Sequence, residues 1–213
     1  MNKTLLLAGV AALFAANAQA LEVTPYVAAR ISYDFARQNA IQYGSYNEKI
    51  KLNDNTWGGH IAVGAKYGAF RLETEYNQDK STRKIFAWDS NDSDREKFNV
   101  KTQSLMLNAY YDFNLCSRFT PYVGVGAGIA KLNFRVKDYE EGYSESNTTS
   151  NFAWQVGAGV SYAATDSMDV DFGYRYVDTG AANFHKTVYD EYKYGLKLNT
   201  ARHEIYAGIR YNF

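Results

Sequence analysis

The sequence alternates between apolar and polar residues with a period of two along nearly its whole length. In segment 201–213 every second position from Ile205 to Phe213 is apolar or aromatic, and the positions between include Glu204, Arg210 and Asn212. This period places successive side chains on opposite faces of a β-strand. The pattern recurs in seven other segments, which are 27–33, 61–67, 70–76, 105–113, 122–130, 152–162 and 168–177. Since no window shows helical periodicity, we predict an all-β domain of eight strands.

The first twenty residues are typical of a secretory signal peptide rather than of a strand. Lys3 supplies a positive start, an apolar run of about a dozen residues follows, and Ala18 and Ala20 are the small residues of a cleavage site. The run is shorter than the roughly twenty residues of a membrane-spanning helix. We therefore expect a signal peptide at 1–20 and the β-barrel domain at 21–213.

The connections between the eight segments alternate between short and long. Because neighbouring strands of an up-and-down meander reverse direction, short and long connections fall at opposite ends. Short turns at one end and long polar loops at the other are typical of outer-membrane barrels. The short connections are Gly68–Ala69, Asn114–Thr120 and Ala163–Ser167, and the long ones are Asp34–Thr56, Asn77–Val100, Lys131–Asn151 and Asp178–Asn199.

Alternation also occurs in soluble barrels, so the membrane assignment depends on which face points inward. Seven glycines lie on the polar face, where they suit the crowded interior of a narrow barrel better than a hydrated surface. Aromatic residues lie at both ends of the aliphatic face, as expected for the two membrane interfaces. We expect Tyr67, Phe70, Tyr111, Phe113, Tyr162, Tyr211 and Phe213 at the short-turn end, and Tyr33, Trp57, Tyr76, Phe152, Trp154, Tyr174 and Tyr176 at the long-loop end. The sequence therefore predicts an eight-stranded antiparallel up-and-down transmembrane β-barrel.

The inward face carries six positive and six negative residues. Eight strands enclose a lumen that side chains just fill, and an unpaired buried charge is costly. We therefore predict a paired network in a filled lumen, with a narrow conducting pore as the alternative. The residues are Arg30, Lys66, Arg71, Arg175, Arg202 and Arg210, with Glu73, Glu75, Asp112, Asp169, Asp171 and Glu204.

The chain lacks the usual signals of catalysis, cofactors and nucleic-acid binding. Its three histidines, His60, His185 and His203, form none of the G-x-S-x-G or H-E-x-x-H patterns, and Cys116 is alone. The acidic segment Asp138–Glu145 lacks the spacing of a calcium loop. The formal net charge is +0, which argues against a nucleic-acid partner. We therefore predict no cofactor and no enzymatic activity.

Several segments resemble the opacity-type outer-membrane barrels of Gram-negative bacteria. They are Thr120–Gly128, Asn108–Phe113, Phe172–Tyr176 and the closing Ile209–Phe213. The final segment, with aromatic Tyr211 and Phe213, is similar to the signal that the barrel-assembly machinery reads. The resemblance implies surface exposure, with adhesion or a porin role as the usual descriptions.

Three functions remain open at this point. We expect a surface protein that lies in outer-membrane lipid and displays its long loops, which could bind a host or cell-surface ligand. A narrow passive porin is the second possibility, and a lipid-modifying enzyme is the third.

Overall fold

The computed structural model contains eight β-strands. It describes the backbone of residues 23–43, 48–86, 95–115, 117–137, 144–188 and 192–213, and the side chains of 23–35, 55–79, 101–115, 117–133, 148–180 and 201–213. Within these ranges, no helix has the length and hydropathy needed to cross a bilayer. The strands are β1 (Val23–Tyr43), β2 (Glu48–Tyr67), β3 (Phe70–Phe86), β4 (Arg95–Asp112), β5 (Phe119–Lys137), β6 (Ser144–Ala163), β7 (Met168–Val188) and β8 (Tyr192–Asn212).

The strands form one closed antiparallel barrel in chain order, with β8 paired to β1. Following the register once around the barrel from Val23 leads back to Tyr33 on β1, a shear of 33 − 23 = 10 residues. Eight strands with this shear tilt by about 40° and have a mean backbone radius of about 8 Å. The interior therefore has room for side chains and little else.

The short connections agree with the prediction. β2 and β3 meet at Gly68-Ala69, where Gly68 has a φ of 57° that glycine adopts without a steric penalty. The β6–β7 turn closes with hydrogen bonds from the amides of Ala164 and Thr165 to the carbonyl oxygen of Met168. These turns define the end of the barrel that carries both chain termini.

The long connections differ from the prediction. Most of the residues expected in loops continue the strands, since β1 extends to Tyr43 and pairs with β2 as far as Gln42 with Glu48. The other pairs of strands extend similarly, as far as Phe86 with Arg95, Lys137 with Ser144 and Val188 with Tyr192. Ten residues of β1 beyond Tyr33 span about 25 Å at this tilt. Backbone pairing extends the strands here although the apolar alternation that marks the membrane segment has ended.

The upper part of the barrel, at the end opposite the short turns, divides into two four-stranded sheets. The β2–β3 ladder ends at Gly58 with Asp79, and the β6–β7 ladder ends at Trp154 with Asp178, although all four strands continue. In the described backbone the extensions of β3–β6 form one sheet and those of β7, β8, β1 and β2 form the other. The two sheets are separated by two seams, one between β2 and β3 and one between β6 and β7. At the second seam the side-chain amide of Asn151 donates to the carbonyl oxygen of Thr179 at 3.2 Å.

The two faces of the barrel have opposite polarity, as predicted. The outer face exposes its aliphatic residues, among them Ile31, Leu107 and Val125. The aromatic residues at the long-loop end form the upper belt, where Trp57 and Phe152 are 67% and 68% exposed. Those at the short-turn end form the lower belt, where Phe70 and Phe213 are 62% and 70% exposed. Because apolar side chains cover the outside while charged ones are buried, the surface suits hydrocarbon.

The upper part of the interior is charged on one side and apolar on the other. Buried charged side chains continue upward to Asp34 on β1 and Asp79 on β3, whereas Met106, Ala130 and Ala153 form a buried apolar cluster on β4, β5 and β6. Leu132 and Val177 are also buried, with 0% and 1% exposure. An apolar layer therefore lies beside the upper part of the charged one.

Candidate functional site

Arg175 occupies the centre of the lumen. Its Nη1 lies 2.7 Å from Oε1 of Glu75, and its Nη2 lies 2.5 Å from Oε1 of Glu204. Glu75 is on β3 and Arg175 is on β7, four strands away in an eight-stranded barrel. This ion pair therefore spans the lumen.

Arg30 makes a second set of buried ion pairs at the same level. Its Nη2 lies 2.7 Å from Oε2 of Glu73, and its Nη1 lies 2.7 Å from Oε2 of Glu75. Glu73 also accepts hydrogen bonds of 3.2 Å from the hydroxyls of Tyr26 and Tyr110. Glu75 thus connects two arginines, which compensates its burial.

Arg71 and Lys66 meet at Asp112 near the short-turn end. Arg71 Nη2 lies 2.8 Å from Asp112 Oδ1, and Lys66 Nζ lies 3.2 Å from Oδ2. The Arg71 guanidinium also lies 4.7 Å from the ring centroids of both Tyr110 and Tyr122. The Lys66 side chain is 34% exposed, so this end of the network reaches water.

Arg210 forms the other group at this end. Its Nη2 lies 2.9 Å from Oδ2 of Asp169 and 3.6 Å from Oδ1 of Asp171. The same nitrogen donates to the hydroxyl of Ser161 at 3.2 Å.

Arg202 binds two acids that the sequence analysis placed in loops. Its Nη2 lies 2.7 Å from Oδ2 of Asp79, and its Nε lies 3.4 Å from Oδ2 of Asp34. Both acids continue the inward period of residues already assigned, Asp34 after Arg30 and Asp79 after Glu75. Extending the alternation by one residue past Tyr33 and by three past Tyr76 would have identified them.

Four inward tyrosines each lie over a glycine on the neighbouring strand, and this pattern was also missed. The register makes each tyrosine and glycine a direct cross-strand pair, and a methyl group on any of these glycines would overlap the ring. Glycine is therefore required because the aromatic ring occupies the space of a side chain. The pairs are Tyr26 with Gly64, Tyr110 with Gly124, Tyr122 with Gly159, and Tyr206 with Gly173.

Ser32, His60 and Asn77 have the order of a nucleophile, a base and an orienting group. His60 Nε2 lies 2.8 Å from Ser32 Oγ, and its Nδ1 lies 2.6 Å from Asn77 Oδ1. However, Arg175 Nη2 lies 3.0 Å from the same Nδ1, and all three side chains are at most 3% exposed. Catalysis requires space for the reacting atom beside the nucleophile, and Ser32 is buried.

The other residues singled out from the sequence lie at the surface or outside the described residues. His203 is exposed in the upper belt, where its Nδ1 lies 2.5 Å from the hydroxyl of Tyr174. Tyr211 and Phe213 lie on the outer face, and the amide of Phe213 donates to the carbonyl oxygen of Pro25 at 3.0 Å. Outside the description fall Ala18, Ala20, Cys116, the segment 138–143 and the side chain of His185.

Side chains fill the middle of the lumen. A cavity lined by Tyr110, Gln155, Arg175 and Tyr206 holds only about 10 Å³. This volume leaves room for about one water molecule, which is too little for a passage. Among the described side chains, no cluster of three or more His, Cys, Asp or Glu is arranged to bind a metal ion.

Comparisons with known proteins agree with this geometry. The family model for the outer membrane protein beta-barrel domain matches residues 4–213. The outer membrane protein PagN of Salmonella typhimurium is 31% identical, over 78% of this chain and 78% of PagN. The opacity protein opA67 of Neisseria gonorrhoeae is 23% identical, over 88% of this chain and 93% of its own. The crystal structure of Neisserial surface protein A has the same fold, with a TM-score of 0.56 and 23% identity over 89% of this chain and 97% of the other.

Proposed function

Because the chain belongs to the outer membrane protein beta-barrel domain family, we propose that it is an adhesive surface protein whose upper strands contact a ligand on another cell. The opacity-type relatives and the barrel fold confirm the prediction of an outer-membrane location. The membrane segment then holds the protein in lipid, and the strands above the upper belt face the exterior.

The strand extensions are the observation that supports this function. They continue about 25 Å past the belt as paired hairpins, and their sequences consist mostly of polar residues. Binding residues are concentrated on surface segments that a rigid scaffold holds in position. Here the scaffold is a barrel with a filled lumen, so the extensions provide the large surface accessible from outside.

The other two candidate functions have less support. The ion pair between Arg175 and Glu75 spans the lumen, which opposes a porin role. The serine and histidine that come together, Ser32 and His60, are buried, which opposes an enzymatic role. We therefore propose a protein without catalytic activity.

Two further proposals concern the route to the membrane. Residues 1–20 would direct export and be removed after Ala20, and Phe213 would be read by the barrel-assembly machinery. Phe213→Ala is expected to lower the amount of assembled barrel in the outer membrane, measured by heat-dependent gel mobility. An unchanged amount would contradict this role for Phe213.

The adhesive function is tested by shortening one hairpin at a time without changing the register. Deleting 37–42 together with 48–53 removes six paired positions from each of β1 and β2 and keeps the connection between them. We expect at least one of the four shortened hairpins to abolish the attachment of intact bacteria to cultured epithelial cells. Each variant must first show the heat-dependent mobility of a folded barrel and resist external protease below the belt.

A control substitution at the opposite end is Arg118→Gln in the exposed β4–β5 turn, which should leave attachment unchanged. If all four shortened proteins assemble and still attach as the wild type does, the proposed function is wrong.

A further inference from the structure

The outer face of β3, β4 and β5 becomes basic directly above the upper belt. The register aligns Tyr76, Leu105 and Ile129 as one row of outward positions. The next row contains Lys131 opposite Gln103, and the row above it contains Lys80 opposite Lys101. The side chains of Lys101 and Lys131 are exposed.

Positive charges accumulate on this face without acids among them. From the belt upward, no outward position in the described residues of β3, β4 and β5 is Asp or Glu. Lys80 and Lys101 are direct cross-strand partners, and like charges in such pairs destabilise a sheet. On β6 the same two rows continue as Ser150 and Thr148, so the charge ends there. An anion bound at this face would offset the repulsion.

The height of these lysines identifies the anion. Lys131 is two residues above Ile129 on β5 and lies about 5 Å higher. Lys80 and Lys101 are each four residues above Tyr76 and Leu105 on their own strands, and they lie about 10 Å higher. The headgroup layer of a bilayer extends about 5 to 8 Å beyond the hydrocarbon on each side. Lysine side chains bend toward an interface, so the ammonium groups of Lys101 and Lys131 reach the phosphate layer. A further basic row, Lys84, Lys97 and Lys137, lies about 20 Å above the belt and beyond that layer.

We propose that Lys101 and Lys131 form a binding site for the phosphate groups of the glycolipid in the outer leaflet, with Lys80 as the cross-strand neighbour of Lys101. The site would hold a lipid against one side of the barrel and set the depth of the protein in the membrane. It is separate from the proposed adhesive function, because it faces sideways into the bilayer rather than toward another cell.

The test is an equilibrium titration of the purified barrel in zwitterionic micelles with bisphosphorylated lipid A. A basic residue near an anionic membrane surface contributes about a fivefold change in affinity, so Lys101→Gln and Lys131→Gln should each weaken binding about fivefold. The double variant should bind about 25-fold more weakly. Lipid A without its phosphates should bind the wild type weakly and should not distinguish the variants.

The matched control is the pair Lys97→Gln and Lys137→Gln, which makes the same charge change on the same strands above the phosphate layer. Its affinity for bisphosphorylated lipid A should stay within about twofold of the wild type. The proposal is overturned if the double variant at Lys101 and Lys131 binds bisphosphorylated lipid A as tightly as the wild type does. It is also overturned if the control pair loses as much affinity as that double variant. Heparin is the comparison for a soluble sulfated polysaccharide, and the proposal also fails if heparin binding depends on Lys101 and Lys131 while lipid A binding does not.

Discussion

At the scale of single residues, large side chains in the interior pack against glycines on the neighbouring strand. Tyr122 lies over Gly159, and a Cβ atom at that glycine would stand 2.5 Å from the tyrosine Cζ and also overlap the backbone of β7. Gly59 has no atom within 4 Å of the same position. Packing therefore requires glycine at position 159, whereas position 59 has room for a side chain.

We predict that Gly159→Ala lowers the free energy of unfolding by about 1–3 kcal/mol, because the added methyl group displaces the tyrosine from a packed interior. Gly59→Ala serves as the control and should change it by less than about 0.5 kcal/mol. Denaturant unfolding of the barrel in lipid vesicles measures both. Equal effects would show that the ring over Gly159 is not what requires glycine there.

Arg175 offers a second test at this scale. Arg175→Met should destabilise the barrel by about 3–5 kcal/mol, because Glu75 and Glu204 lose their shared partner while remaining buried. Adding Glu204→Gln should restore part of the loss, because it removes the one negative charge that is left in excess when the arginine is lost. The exposed Arg118→Gln is the control, and a similar loss there would point to a general charge effect instead.

At the scale of strands, the same eight elements serve two environments. Below the upper belt each strand pairs with both neighbours, and above it the β2–β3 ladder stops at Gly58 with Asp79. In the described backbone, β2 then pairs only with β1, and β3 only with β4. Each of these strands therefore has one edge without a ladder.

We predict faster amide hydrogen exchange in 48–57 of β2 and 80–86 of β3 than in 97–103 of β4, which pairs on both sides at the same height. Amides that point away from a ladder lack its protection, so protected and unprotected positions should alternate along β2. Exchange resolved by residue in a bilayer measures this. Uniform protection along β2 would mean that the two sheets join there.

At the scale of the whole molecule, the distribution of polarity decides where the protein resides. The outer face is apolar between two aromatic belts, and the interior is ionic. The free energy of this arrangement is favourable only when hydrocarbon surrounds the barrel.

A charge placed on the outer face at mid-membrane should therefore be costly. Val125→Arg is expected to lower the free energy of unfolding in a bilayer by about 2–4 kcal/mol. Thr148→Arg, above the belt on β6, should be nearly neutral because water solvates it. An equal cost at both positions would contradict the membrane boundary drawn at the upper belt.

The filled lumen has a consequence for transport. Purified protein in planar bilayers should show no stable channels, because the Arg175–Glu75 pair and the apolar cluster around Met106 close the path. Arg175→Ala opens that layer and is the variant in which conductance would first be expected. Reproducible channels in the wild-type protein would favour the porin role instead.

The sequence by itself determined the strand pattern, the number of strands and the inward and outward faces. These features follow from alternation, which is local, and a residue such as Arg175 reveals its face through its immediate neighbours. The positions at which the strands end do not follow from this local pattern. Asp34 and Asp79 were assigned to loops because the apolar half of the pattern stops where the lipid stops, whereas backbone pairing does not.

Only the tertiary structure decided which residues meet. The Arg175–Glu75 pair joins residues a hundred positions apart, the tyrosine and glycine pairs depend on the register of neighbouring strands, and the two seams depend on which ladders end. The basic face above the belt arises in the same way, since Lys101 and Lys131 become neighbours only through pairing. The physical reason is that register and shear are properties of the closed barrel, set by all eight strands together.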